Sequence, residues 1–73
     1  MEIPPLGPSP NENLRILREH RGITLRELER ATGIHNANLS KMEKGRYGIG
    51  ALSAHRLAAY FGVDARALCT QRF

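Results

Sequence analysis

Six residues in one short stretch carry side chains that could read or grip a polyanion: His35, Asn36, Ala37, Asn38, Ser40 and Lys41. An Asn carboxamide can pair with adenine through two hydrogen bonds. A Lys ammonium can donate to guanine, and an Ala methyl can touch the methyl of thymine. Thr24, Lys44 and Arg46 flank the stretch with groups suited to phosphate oxygens. Other chemistry is poorly served. His20, His35, His55 and Cys69 match no zinc-ligand spacing. The glycines between Gly45 and Gly50 form no phosphate-cradling Walker sequence and follow no strand. There is no nucleophile and base at meaningful spacing. The expectation is a protein that is not an enzyme and needs no metal or cofactor.

For such residues to act together they must lie on one exposed helix face. The stretch from Thr24 to Arg46, TLRELERATGIHNANLSKMEKGR, reads as two short helices joined by a turn at Gly33. Thr24 is an N-cap and Glu27, three residues on, completes a capping box. Leu25, Leu28 and Ala31 give apolar helical spacing before Gly33 interrupts it. The next helix is expected over about 36–44, with Ile34, Leu39 and Met42 facing inward and Gly45 ending it. Two helices joined by a tight glycine turn can cross steeply and expose the second one. An exposed helix fits the major groove, where its first residues reach deepest.

The remaining segments read as support. Residues 1–9 hold Pro4, Pro5, Gly7 and Pro8, a mobile or polyproline-like arm without Lys or Arg. Ser9, Pro10 and Glu12 mark the start of a first helix that stops at Gly22, with Leu14 and Leu17 on its apolar face. A fourth helix is expected over about 51–61, with Ala51, Ala54, Leu57, Ala58 and Phe61 inward and Gly62 as its cap. Asp64 caps a short fifth helix, ARALC, anchored by Val63 and Leu68. The body thus spans 10–69, and 70–73 form a short tail. The expected fold class is all-α, with five helices.

The bulk properties agree. Seventy-three residues suggest one domain, and a formal charge of +4 suits a polyanionic partner. One cysteine excludes an internal disulfide and fits a reducing cytoplasm. No apolar run approaches the roughly 20 residues of a membrane span, and the first residues lack the features of a signal peptide. A cytoplasmic location, away from membranes, is expected.

The order L-R-x-L-R-x-x-R-G-I-T-L-x-E-L-x-x-x-T-G-I-x-x-x-x-L-S-x-M-E-x-G-R, from Leu14 to Arg46, resembles the phage-repressor type of helix-turn-helix, the Cro and lambda repressor or XRE family. The later L-A-x-x-F-G-V-D, Leu57 to Asp64, resembles the family's next helix and turn, so the likeness covers about 13–68. It implies a five-helix domain that binds operator DNA, often as a pair on a two-fold site. It places base contacts at Asn36, Ala37 and Lys41, with His35 and Asn38 at the edge, and backbone contacts at Ser40 and Lys44. It also implies a buried salt bridge between Arg18 and Glu43.

Three positions depart from the family's pattern. Leu25 stands where a phosphate-donating Gln is common. Glu29 stands where a small Ala lets the helices touch, so the crossing is altered or Glu29 finds an Arg partner at the edge. His35 replaces the usual Ser or Thr cap of the reading helix, and is a poorer cap.

The resulting expectation is a sequence-specific, repressor-like transcriptional regulator of a bacterium or phage, acting on double-stranded DNA as a homodimer on a palindromic operator. There is no room for a separate sensor domain, so control is expected from protein level, a partner or dimerisation. The alternative is an antitoxin-like or adaptor module that binds a protein partner on the same fold. Leu52, Tyr60, Phe73 and the proline arm would then form an apolar contact surface. A sequence-independent binder is disfavoured because only four basic residues lie between Asn36 and Arg56.

Overall fold

Each helix begins and ends on short-range chemistry. In a computed structural model, which describes residues 2–71, the Ser9 hydroxyl accepts from the Glu12 N–H at 3.3 Å and Pro10 opens α1 (Pro10–Arg21). The Glu12 carboxylate turns outward to Arg15 at 3.5 Å. At the far end Gly22 adopts the left-handed region, and the N–H groups of Gly22 and Ile23 return to Glu19 and Arg18. Thr24 caps α2 (Leu25–Thr32) by accepting from the Glu27 N–H at 3.1 Å. α3 (Asn36–Glu43) and α4 (Ala51–Phe61) follow. The described residues contain no strand, so the fold is all-α.

The fifth element is shorter than a fifth α-helix requires. Ala65–Leu68 form a single 3₁₀ turn, in which the Ala67 N–H reaches the Asp64 carbonyl at 3.0 Å. Asp64 caps it, accepting from the Arg66 N–H at 2.8 Å. Cys69 is already extended, and the Thr70 N–H goes to the Ile49 carbonyl instead of continuing the helix. The neighbouring loop therefore outcompetes the next helical turn.

The core gathers Leu14 and Leu17 of α1, Leu28 of α2, and Leu39 and Met42 of α3. Ala54, Leu57, Ala58 and Phe61 of α4 join them, with Leu68 of the turn. α4 and α1 both pack on the 3₁₀ turn, while α3 lies against α1 and α2. Three positions differ from the sequence pattern. Ala31, expected inward, is exposed, and Thr32 is buried in its place. The Thr32 hydroxyl donates to the Leu28 carbonyl at 2.8 Å and accepts from the Ile34 N–H at 3.3 Å. A polar residue can take this place because both halves of its hydroxyl are used. Ile49, in a loop without periodicity, is fully buried.

Residues 2–9 lie along α1. The Glu2 carbonyl meets His20 Nε2 at 2.9 Å, and Leu6 packs against the core. Asn13, 2% exposed, holds the arm: its Oδ1 accepts from the Gly7 N–H and its Nδ2 donates to the carbonyls of Gly7 and Ala67, all at 2.9 Å. The apolar surface expected from Leu52, Tyr60, Phe73 and the arm is divided. Leu52 is exposed, whereas Tyr60 is half-buried with the Arg21 guanidinium 4.7 Å from its ring centroid. Phe73 lies outside the described residues.

Candidate nucleic-acid interface

α3 turns one side to the core and the other to solvent. Leu39 and Met42, with Ile34 just before the helix, are buried. His35, Ala37 and Asn38 are exposed, and Asn36, Ser40 and Lys41 are half-buried along the same outer side. Lys44 and Arg46 are exposed just beyond the helix, and Thr24 is exposed at the start of α2. The candidate base-contacting residues thus form one continuous face, with candidate phosphate contacts at its ends.

The turn that presents this face depends on Gly33. Its φ is +76°, in the left-handed region, and its N–H closes α2 on the Glu29 carbonyl at 2.7 Å. A Cβ there would meet nothing nearer than Arg56 Nη1 at 4.0 Å, so the backbone alone resists a side chain. Gly33→Ala should lower stability by about 1–2 kcal/mol in urea unfolding followed by circular dichroism.

Two sets of contacts from α1 fix the angle of α3, and a third caps its start. Arg18 Nε and Nη2 donate to the two carboxylate oxygens of Glu43 at 2.5 and 3.0 Å, and Arg18 Nη1 donates to the Ile23 carbonyl at 2.9 Å. The pair is largely buried, with side-chain exposures of 19% and 8%. Its hydrogen bonds to Glu43 push the Arg18 pKa up, against the opposing effect of burial. Asn11 Nδ2 donates to the carbonyls of Met42 at 2.7 Å and Tyr47 at 2.9 Å, tying the start of α1 to the end of α3. At the other end of α3, His35 Nδ1 accepts from the Ala37 N–H at 3.2 Å, so this residue does cap the helix.

Glu29 adds a second cap from α2. Its Oε1 accepts from the Asn36 backbone N–H at 3.1 Å and from Asn36 Nδ2 at 2.6 Å. The partner of Glu29 is therefore Asn36 and not the arginine expected at the edge. Arg26 acts on it only through its charge. The Asn36 side-chain amide, then its backbone N–H, hold the Glu29 carboxyl below the ordinary carboxylate range. The carboxylate sits at an open recess lined also by Arg26 and Arg30.

Two further residues shape the face. Lys41 Nζ donates to the Tyr47 hydroxyl at 3.2 Å and lies 4.9 Å from its ring centroid. Tyr47 is 45% exposed, so the ammonium is steered without being sequestered. Asn11 and Tyr47 escape sequence reasoning because their partners lie on other segments. An aromatic residue one turn beyond a reading helix was the available hint for Tyr47. Among the described residues no group of three or more His, Cys, Asp or Glu side chains is placed to hold a metal ion.

An exposed eight-residue helix, set across a partner helix by a glycine turn and faced with Asn and Lys, defines a helix-turn-helix module. The chain belongs to the helix-turn-helix domain family, whose model matches residues 11–72. It is 38% identical over 50 residues to an uncharacterized HTH-type transcriptional regulator of Methanothermobacter thermautotrophicus, a match covering 64% of this chain and 72% of that protein. It is similar in fold to the restriction-modification controller protein C.AhdI from Aeromonas hydrophila. There the TM-score is 0.74 at 22% identity, over 82% of this chain and 91% of the other.

Proposed function

We propose that this protein is a sequence-specific DNA-binding transcriptional regulator that lays α3 in the major groove. The observation that carries the reading is the outer face of α3. His35, Asn36, Ala37, Asn38 and Lys41 line it at helical spacing, while Leu39 and Met42 anchor the opposite side. Thr24, Ser40, Lys44 and Arg46 would contact phosphates on either side and set the register of the helix. Repression follows if an occupied operator blocks transcription from the promoter it overlaps. One small module offers few base contacts, so two copies on a palindromic site would supply the affinity of a specific complex. No helix among the described residues is long and apolar enough to cross a membrane. We place the protein with the DNA it reads, in the cytoplasm.

Selection of bound duplexes from a random pool, followed by anisotropy titration against salt, tests this. The expected result is a palindromic consensus, with affinity falling steeply as salt rises. Asn36→Ala and Lys41→Ala should each relax preference at particular base pairs by about 1–3 kcal/mol, whereas Lys44→Ala should weaken all sequences alike. No preferred sequence and a flat salt response would overturn the reading.

A further inference from the structure

The least expected residue beside the reading face is Glu29 of α2, a carboxylate next to a surface meant for a polyanion. Its geometry gives it a task. Both of its hydrogen bonds fall on Oε1, and both come from Asn36. The backbone bond fixes the first residue of α3, and the side-chain bond fixes which end of the Asn36 carboxamide faces α2. A carboxamide carries a donor at one end and an acceptor at the other, and free rotation lets it present either. With Nδ2 held toward Glu29, Oδ1 points away, and the second N–H on Nδ2 still has to find a partner.

We propose that Glu29 is a specificity-determining positioning residue that locks the Asn36 carboxamide into the orientation that reads adenine. The proposal rests on the major-groove reading above. Adenine offers an acceptor, N7, beside a donor, the N6 amino group, and the held amide offers the complementary pair. Guanine offers two acceptors at that edge. An Asn free to rotate can turn its amino group alone toward that edge and swing Oδ1 clear, whereas the held Asn sets Oδ1 against the second acceptor. The carboxylate reinforces the choice by repelling carbonyl-bearing edges. Discrimination by an unfavourable contact with the wrong base needs such a fixed group. Arg26 and Arg30 line the same recess, and Arg26 and His35 also act on the carboxylate through their charge, offsetting its repulsion of nearby phosphates.

The test compares unmodified protein with Glu29→Ala, Glu29→Gln, Asn36→Ala and the double Glu29→Ala/Asn36→Ala. Each is titrated by anisotropy against the selected duplex and against its single-base-pair variants, with folding checked by circular dichroism. Glu29→Ala should lower discrimination about tenfold at the same base pair that Asn36→Ala affects. The double variant should be no worse than Asn36→Ala alone. Glu29→Gln keeps an oxygen acceptor for Asn36 and should restore most of the preference. If Glu29→Ala does not fold, Glu29→Asp replaces it, since the shorter side chain withdraws the carboxylate. An unchanged profile at the base pair of Asn36, or equal weakening on every sequence, would overturn the role of Glu29 while Asn36 still reads its base. If the unmodified protein selects no sequence, or Asn36→Ala relaxes none, the major-groove reading falls together with it.

Discussion

Replacing Glu43 with alanine should lower the unfolding free energy by about 3–5 kcal/mol. The loss comes from Arg18 as much as from Glu43. The guanidinium would keep the Ile23 carbonyl but lose both carboxylate oxygens, at a site where its side chain is 19% exposed. Water cannot easily replace them. A domain of 73 residues has a total stability of roughly 4–11 kcal/mol, so this one change removes a large part of it. Urea unfolding followed by circular dichroism measures the effect. The double replacement Arg18→Met with Glu43→Leu should recover most of the loss, because removing both charges leaves neither unpaired. A cost below about 1 kcal/mol for Glu43→Ala would mean that the pair behaves like an exposed one. The bridge is thus a device of orientation: it fixes the end of α3 against α1, because any other way of packing them would leave a charge unpaired.

Leu39→Ala should cost about 2–5 kcal/mol, by lost burial and by the cavity left behind. Leu39 is fully buried at the middle of α3, and Ile34 and Met42 are the neighbouring anchors. Eight residues are too few for a helix to persist by itself in water. α3 is therefore helical because its inner side is packed, and Leu39 supplies the centre of that packing. Thermal unfolding should shift downward by roughly 8–40 °C at the 4–8 °C per kcal/mol typical of so small a domain. Affinity for DNA should fall with the folded fraction and recover on cooling within the transition. A melting temperature unchanged by Leu39→Ala would show that α3 is held mainly by its polar contacts.

The helix limits were legible because they rest on neighbours in the chain. Ser9 and Thr24 accept from N–H groups three residues on, and the glycines at 22 and 33 close their helices within five residues. The inner faces of α1, α3 and α4 were legible for the same reason, through helical spacing. What escaped lies between segments. Asn11 and Asn13 look like ordinary polar residues of a first helical turn, yet their partners are 31, 36 and 54 residues away. Ile49 has no periodic company to mark it as core. Ala31 and Thr32 were exchanged because spacing favours an apolar residue, and spacing cannot register a hydroxyl that is satisfied twice. Glu29 was visible as an anomaly, but its partner required the crossing of α2 and α3. On the candidate site, the face itself was readable from residue types. The internal restraints on it, Glu29 on Asn36 and Tyr47 on Lys41, were not.

Asn13 acts across the whole chain. Its one carboxamide joins the backbone at Gly7 to the backbone at Ala67, so nearly the entire domain lies inside the loop that it closes. A covalent crosslink at such a place would act by restricting the unfolded chain. With Cys69 as the single thiol, that route is closed. The amide closes the loop only in the folded state, so the cost of bringing the two segments together falls within folding itself. It is a crosslink that forms with the fold, opens with it, and needs no oxidant.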